Sequence, residues 1–252
     1  MDKVRIEGGG AVRQVILARA DKRNALDADM LIALTQAFTE TPGPDERAVV
    51  IRAEGPVFCA GLDLRERGGG AVGGAGAIEA MLHAIETYPL PVVAVVQGDA
   101  IAGGNELALH CDFVVASESA RFGMSLARIG LAPSWFLAKR LLEVAGPVGA
   151  REMLLLGEPL PARRMAELGL IHRCVASAEL EAAADAVIQR LAANAPLSLK
   201  AMKALMVRAM TFRDAIPHAD VDALVAAASA SADAREGIAA MLERRAPRFE
   251  GR

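Results

Sequence analysis

Apolar stretches of strand length alternate with amphipathic stretches through the first half of the chain. The strand-like stretches cover residues 11–17, 48–52, 92–97 and 113–116. Stretches with helical spacing cover residues 27–38, 77–88 and 103–111, and Asp27 is positioned to cap the first of them. Strands that alternate with helices in this way predict an α/β fold with a largely parallel sheet.

From Trp135 onward the pattern is predominantly helical, with one further strand-like stretch at residues 170–175. Helical spacing predicts helices over residues 136–143, 147–155, 162–168, 177–193, 197–210, 217–231 and 234–244. We therefore expect an α/β core over residues 1–176 and a helical C-terminal oligomerisation region over residues 177–252. These last helices carry more apolar surface than one core face can hide, which predicts subunit contacts.

Composition and charge narrow the possible classes of function. Of the 252 residues, 28 are Lys or Arg and 31 are Asp or Glu, so the net charge is −3, and 4% are aromatic. These values exclude a protein whose main partner is nucleic acid. No apolar run reaches the ~18 residues that span a bilayer, so we expect no membrane association. Three widely separated cysteines (Cys59, Cys111 and Cys174) predict no disulfide, no zinc site and a cytoplasmic location.

The glycine-rich stretch and the histidines form no convincing catalytic motif. Residues 68–73 match the spacing G-x-G-x-x-G, but mostly charged residues precede them where a nucleotide-binding strand is required. We interpret residues 68–76 as a flexible loop. The histidines are scattered and are interpreted as surface or packing residues, at His83, His110, His172 and His218. We expect no metal ion.

Two stretches rich in small residues are better candidates for a catalytic site. One covers residues 58–64, and the other covers residues 97–108 and leads from a strand into a helix. Free N–H groups at a helix start attract a developing negative charge, so the two stretches together would make an oxyanion hole. Glu106 lies about one helical turn after Gly103 and would share that face. On these residues alone, the glycines could equally relieve crowding while Glu106 complements the helix dipole.

Several separated segments together resemble the crotonase superfamily, also called the enoyl-CoA hydratase/isomerase family. Residues 58–64 resemble its F-x-A-G-x-D-[LI] segment, and residues 98–112 resemble its G-x-A-x-G-G-G-x-E-L-A-x-x-C-D segment, with Ala102 replacing the first glycine of the triplet. Residues 23–26 resemble an early loop, although Ala20 stands where a proline is usual. Further matches cover residues 154–160, 166–171, 231–237 and 247–252. The resemblance implies a crotonase-like spiral of ββα turns with a C-terminal helical trimerisation region.

The same resemblance implies the ligand and the catalytic residues. The ligand would be a coenzyme A thioester that is itself the substrate, with no separate cofactor, bound by a homotrimer or a dimer of trimers. The N–H groups of Ala60 and Gly103 would hold the thioester oxygen as it becomes an enolate. Glu106 occupies one of the family's two acid/base positions.

The substrate-binding residues also follow from the matched segments. We expect the adenosine and pyrophosphate end of coenzyme A near Lys22, Arg23 and Ala25. The pantetheine would contact residues 60–64, which include Leu62, Asp63 and Leu64. Residues 68–81 and 124–135 would shape the acyl pocket, because specificity varies in loops.

The second acid/base position departs from the family pattern. Hydratases carry a glutamate after a Phe-Gly pair, here at residues 122–123, and matching by that pair assigns the position to Leu126. Leucine cannot transfer a proton, whereas Glu106 alone can move a proton from one carbon to another. We therefore predict double-bond isomerisation rather than hydration, unless Asp63 or Glu66 replaces the missing acid. Decarboxylation or hydrolysis of a CoA thioester, and non-catalytic acyl-CoA binding, are the alternatives.

Overall fold

The computed structural model describes residues 2–8, 10–63 and 75–251. The strands within them are β1 (Val4–Gly8), β2 (Val12–Leu17), β3 (Ala48–Ala53), β4 (Val92–Val96), β5 (Ala100–Ile101), β6 (Phe113–Ser117), β7 (Arg121–Gly123), β8 (Leu160–Pro161) and β9 (Arg173–Val175). The larger sheet has the order β1-β2-β3-β4-β6-β9, and the smaller has the order β5-β7-β8. In the larger sheet β1 and β2 are antiparallel and the other pairs are parallel, which confirms the predicted, largely parallel sheet.

The helices connect and cover these strands. The α-helices are α1 (Ala28–Thr39), α2 (Ala75–Thr87), α3 (Gly103–Leu109), α4 (Trp135–Arg151), α5 (Ala162–Glu167), α6 (Leu180–Ala193), α7 (Pro196–Met210), α8 (Ala219–Ala230) and α9 (Ala232–Glu243). Short 3₁₀ turns lie at Ala20–Lys22, Ser125–Ile129, Ser177–Glu179 and Thr211–Ala215, and a π-helical turn lies at Glu152–Leu156. The Asp27 side chain caps α1, as predicted, by accepting a hydrogen bond from the Met30 N–H at 3.0 Å.

The structure differs from the predicted elements where the pattern is short or interrupted. The pattern does not predict β1, a polar edge strand, nor β5, β7 and β8, which are two or three residues long. The helices predicted over residues 136–143 and 147–155 are joined in α4, with a kink at Gly146 (φ 60°, ψ 178°) before Pro147. Residues 75 and 76 begin α2, so the predicted loop over residues 68–76 is too long at that end. Its residues 68–74 lie outside the described residues.

Both faces of the larger sheet bury apolar side chains. Successive residues of β3 and β4 alternate between two clusters: Val49 and Ile51 pack with α1 and α2, whereas Val50 and Val93 pack with α6. The buried residues of α6 form the predicted stripe, at Leu180, Ala184, Val187, Ile188 and Leu191. The first helix beyond residue 176 therefore packs on the sheet of the α/β core. A division into two regions at that residue stays a prediction.

Helix α9 returns to the body of the same chain and packs on the 3₁₀ turn Ser125–Ile129. A Cβ atom at Gly237 of α9 would lie 2.4 Å from the carbonyl carbon of Ile129. A Cβ atom at Gly130 would lie 2.7 Å from the Ala234 nitrogen, and Gly130 has φ +69°. Because no side chain fits between these backbones, the two glycines set how closely the C-terminal region approaches the turn.

Several apolar side chains of the C-terminal helices remain exposed. Those of α7 and α8 with exposures from 63% to 81% are Leu197, Leu205, Met206 and Leu224. These surfaces support the predicted subunit contacts, and the homotrimer or dimer of trimers stays a prediction, as does the cytoplasmic location. Across the part of the chain that the structure describes, no helix combines the length and the apolar character needed to cross a membrane.

Replacing Gly237 by Ala should destabilise the protein by about 1–3 kcal/mol, because the added methyl group must displace the Ile129 backbone. Helix propensity alone would favour the alanine by about 1 kcal/mol. Gly76→Ala in α2 is the matched control, because open space surrounds its Cβ position, and it should be neutral or stabilising. Urea unfolding measures both variants, and equal stabilities would contradict this account of the packing.

Candidate active site

Backbone hydrogen bonds join the loop over residues 58–63, the first loop, to the loop over residues 97–102, the second loop. The Cys59 N–H donates to the Asp99 carbonyl oxygen at 3.1 Å, and the Ile101 N–H donates to the Cys59 carbonyl oxygen at 2.9 Å. On its other side, the first loop accepts a hydrogen bond at the Gly61 carbonyl oxygen from the Leu26 N–H at 2.8 Å. The two stretches rich in small residues are therefore in contact, as a shared site requires.

Glycine is required where α3 begins, because its first turn touches the first loop. A Cβ atom at Gly104 would lie 2.2 Å from the Cys59 carbonyl oxygen, closer than real atoms approach. A Cβ atom at Gly103 would lie 3.5 Å from the Leu62 nitrogen. Gly61 has φ +89°, a conformation that glycine adopts without strain. Relief of crowding therefore does explain Gly104, and the same contact brings two main-chain nitrogens together.

The free N–H groups at this junction belong to Leu62 and Gly103. Neither donates a hydrogen bond within the described residues, and Gly103 is the first residue of α3, where an N–H has no partner inside the helix. In contrast, the Ala60 N–H donates to the Arg23 carbonyl oxygen at 3.1 Å. The assignment of an oxyanion donor to Ala60 is therefore corrected, because that N–H holds the first loop against the turn at Arg23.

The backbone is strained at the residue before α3. Ala102 has φ 49° and ψ −116°, a conformation that residues with a Cβ rarely adopt and that costs about 1–3 kcal/mol. Its N–H donates to the Gly123 carbonyl oxygen at 2.7 Å, and its carbonyl oxygen accepts the Glu106 N–H at 3.0 Å. These hydrogen bonds hold the strained residue and fix where α3 begins.

Glu106 is a buried carboxyl group in the first turn of α3. Its side chain is 1% exposed, and within the described residues neither carboxylate oxygen accepts a hydrogen bond. Burial raises the pKa of Glu106 to about 8, and the positive charge of Arg140 opposes this shift. A carboxyl group with such a pKa is well suited to exchange protons with a substrate near neutral pH.

A cavity of about 500 Å³ opens at this junction. The predicted site residues that line it are Ala60, Leu62, Gly103, Glu106 and Leu126. Residues of the two stretches expected to shape the pocket also line it, at Ile78, Met124, Ser125, Arg128, Ile129, Leu131, Ala132, Pro133 and Ser134. Its walls are thus largely apolar, with Glu106 as the carboxylate among the described residues that line it.

The C-terminal region contributes lining residues that the sequence pattern does not predict. Met241 of α9, Pro247 and Phe249 border the cavity. Glu236 holds this tail by pairing with both terminal nitrogens of Arg245 at 2.5 and 2.8 Å. The sequence gives no signal for these lining residues, because the apolar spacing of α9 could equally serve a subunit contact. The close approach of Gly237 to the 3₁₀ turn places them at this chain's own cavity.

The remaining predicted residues lie away from the lining. Lys22 and Arg23 are exposed on the turn before α1. Arg19 joins Ala25 to Asp63, because its Nη1 atom donates to the Ala25 carbonyl oxygen at 2.8 Å and lies 2.9 Å from the Asp63 Oδ2 atom. The predicted contacts of Leu64 and the alternative acid at residue 66 lie outside the described residues.

Replacing Glu106 by Gln should stabilise the protein at high pH. Between the ordinary pKa of 4.5 and the folded-state pKa of about 8, the unfolded chain releases a proton that the folded protein retains, so stability falls as the pH rises through this range. Gln has the shape of the protonated acid and escapes this loss. In thermal unfolding the two proteins should coincide near about pH 4, and the variant should be several degrees more stable near about pH 8.

Glu158→Gln, which removes a carboxyl group at an exposed site, is the matched control for this experiment and should unfold like the wild type. A Glu106→Gln protein whose unfolding temperature parallels that of the wild type at every pH would contradict the raised pKa.

Comparison with known proteins bears on what this cavity does. A putative enoyl-CoA hydratase from Thermus thermophilus is 36% identical over 259 residues, covering 95% of this chain and 98% of that protein. The crystal structure of an enoyl-CoA hydratase from Mycobacterium avium subsp. paratuberculosis matches with a TM-score of 0.85 at 30% identity, covering 98% of each chain. A methylmalonyl-CoA decarboxylase in complex with 2-nitronate-propionyl-CoA matches with a TM-score of 0.90 at 24% identity, covering 99% of each chain, and shows the fold alone.

These matches confirm the predicted crotonase-like fold, and a model of the enoyl-CoA hydratase/isomerase family matches residues 7–252. Because the family model and the Thermus relative each cover nearly the whole chain, the protein belongs to the enoyl-CoA hydratase/isomerase family of the crotonase superfamily.

Proposed function

We propose that this acyl-CoA enzyme isomerises the double bond of an enoyl-CoA thioester, with Glu106 as its proton shuttle. The observation that carries the proposal is that Glu106 is the sole carboxylate among the described residues lining the cavity. Leu126 lines the same cavity at the position where hydration would need a second acid. Asp63 cannot easily replace that acid, because it is paired with Arg19 and does not line the cavity.

The N–H groups of Gly103 and Leu62 would hold the thioester oxygen. Both are free of protein partners within the described residues and their nitrogens lie at one junction of the two loops. A donor aimed at the position of a developing oxyanion contributes roughly 3 kcal/mol to the transition state. Leu62 thus takes the role that the family resemblance assigned to Ala60, and Gly103 keeps its own.

The proton would move between two carbons of the same substrate. The Glu106 carboxylate takes a proton from the carbon next to the carbonyl of a 3-enoyl thioester, and the electron pair of that bond forms a dienolate. The oxyanion hole stabilises the dienolate oxygen. Glu106 then returns the proton to the distal carbon of the former double bond, which gives the conjugated 2-enoyl thioester. Glu106 ends in its starting state, and no atom is gained or lost.

The character of the cavity supports this chemistry. Its lining includes Ile78, Ile101, Met124, Leu137 and Phe249, which suit an apolar acyl group. Because Glu106 shares this apolar environment, its basicity is higher than that of an exposed carboxylate. A stronger base is better matched to a weakly acidic carbon.

Different substrates distinguish the other reactions that an enolate-stabilising site could catalyse. A malonyl-type thioester tests decarboxylation, a saturated thioester tests hydrolysis, and a 2-enoyl thioester tests hydration. Product mass identifies each reaction. Tight binding of all these thioesters without turnover would support the alternative of an acyl-CoA binder.

We also propose that Lys22 and Arg23 bind the phosphate-bearing end of coenzyme A. The Arg23 carbonyl oxygen accepts the Ala60 N–H, so this exposed turn adjoins the first loop. Replacing both residues by Ala should weaken coenzyme A binding in calorimetry, because two exposed positive charges are lost and phosphate contacts depend on such charges. The paired control Arg151→Ala with Lys200→Ala removes equal charge elsewhere, and equal affinities for the two double variants would refute the assignment.

Replacing Glu106 by Gln should lower isomerase kcat by about two or more orders of magnitude, because the amide keeps the shape but cannot act as a base. Binding of the CoA thioester should stay largely intact. Conjugation of the product can be followed by absorbance, with Glu158→Gln as the control. Wild-type hydration of a 2-enoyl thioester should be slow relative to isomerisation, and efficient hydration that survives Glu106→Gln would overturn these roles.

Leu126 offers a matched pair of variants for the same question. Leu126→Glu supplies a second carboxyl group and should raise hydration at some cost in stability, because a charge enters an apolar cavity. Leu126→Gln introduces a side chain of nearly the same shape as glutamate, but its amide cannot deliver a proton, so this variant should not raise hydration. Equal hydration by both variants would contradict the proposed reason for the isomerase preference.

A further inference from the structure

We propose that His110 is a positioning residue that holds the Glu106 carboxylate through its ring Nδ1–H, an inference that rests on the proposed role of Glu106 as the base. The two residues lie four positions apart at α3, and both side chains are buried, with exposures of 0% and 1%. The His110 Nδ1 atom lies 3.7 Å from the Glu106 Oε2 atom. Within the described residues, no other basic side-chain nitrogen lies within 4.0 Å of this carboxylate.

The Nδ1–H of His110 is available for this purpose. Nδ1 lies 2.8 Å from the Glu106 carbonyl oxygen, and because that oxygen only accepts, we assign the proton to Nδ1. The same carbonyl oxygen already accepts the backbone N–H of His110 at 3.0 Å. The Nδ1–H can therefore move to the carboxylate without leaving a backbone group unpaired.

The ring packs against an aromatic neighbour and stays neutral. It stacks on Phe136 of α4, with 5.3 Å between ring centroids and 15° between planes. Burial, together with the charge of Arg140, lowers the pKa of His110 to about 3. A neutral ring with its proton on Nδ1 is a hydrogen-bond donor toward Glu106 across the working pH range.

Among the described residues, the other charged groups around the pair make no hydrogen bond to the Glu106 carboxylate. The charged and titratable groups around the pair include His83 and Glu86 of α2, Lys139 and Arg140 of α4, the Cys59 thiol of the first loop, and Arg128 and Arg245, which line the same cavity as Glu106. Arg140 is engaged elsewhere, because it donates to the Leu109 carbonyl oxygen at 3.0 and 2.9 Å and lies 3.5 Å from Glu86. None of these groups donates a hydrogen bond to the Glu106 carboxylate within the described chain.

The contact with His110 helps the buried Glu106 carboxyl group to ionise. When Glu106 is ionised, the Nδ1–H stabilises its negative charge, and when Glu106 takes the substrate proton, the Nδ1–H returns to the carbonyl oxygen. Hydrogen bonding to the charged form lowers the pKa of an acid, so His110 counteracts part of the rise that burial causes. His110 does not line the cavity, so it acts through Glu106.

The test compares variants that differ in this donor. His110→Phe keeps an aromatic ring against Phe136 without a donor, His110→Leu is a second variant without a donor, and His110→Asn restores an N–H. His172→Leu, on the exposed segment before β9, is the control for removing a histidine. Two readouts are measured against pH: kcat/KM with a 3-enoyl thioester, and the infrared band of the protonated carboxyl group, taken as the difference from each variant's Glu106→Gln counterpart.

In the Phe and Leu variants, the acid limb of the kcat/KM profile should shift to a pH about one unit higher. Near pH 7 this shift lowers kcat/KM about tenfold, and the loss is recovered at high pH. The infrared midpoint should move with it, and the Asn variant should keep the wild-type values. An unchanged infrared midpoint in both variants without a donor would overturn the proposal, even if activity falls equally at every pH. A shifted infrared midpoint with an unchanged acid limb would support His110 and refute Glu106 as the base.

Discussion

The close contact between the first turn of α3 and the first loop is the constraint on which the site depends. It is possible because Gly104 has no side chain where the Cys59 carbonyl oxygen approaches. The same contact puts the nitrogens of Leu62 and Gly103 at one junction and leaves both N–H groups unpaired within the described residues. A larger residue at Gly104 would therefore disturb packing and separate the two halves of the proposed oxyanion hole.

The strained backbone at Ala102 belongs to the same arrangement. Strain of this kind persists only where surrounding hydrogen bonds hold it, and here β7 and α3 supply them through Gly123 and Glu106. The smaller sheet thus fixes the start of the helix that carries Glu106, the proposed base. Helix α9, seated by Gly130 and Gly237, closes the other side with residues of the same chain.

The largely apolar cavity changes the acid/base properties of the carboxyl group that lines it. Burial raises the pKa of Glu106 toward neutrality and so strengthens it as a base. The same burial reduces the fraction of carboxylate present, and a neutral donor such as His110 offsets that loss without adding a charge. With Leu126 at the position of a second acid, the proposed reaction moves a proton within the substrate rather than adding water.

Sequence patterns were enough to predict the main strands, the cap at Asp27 and the α/β class. The family resemblance added the crotonase-like fold and the roles proposed for Gly103 and Glu106. These features depend on neighbours in sequence or on side-chain chemistry. The folded chain, by contrast, shows that the Ala60 N–H donates to the Arg23 carbonyl oxygen and that the Leu62 N–H has no partner among the described residues. It also shows that α9 borders this chain's own cavity and that His110 adjoins Glu106 in a buried pair. Hydrogen-bond partners and burial depend on segments that lie far apart in the chain, so the periodicity of the sequence does not encode them.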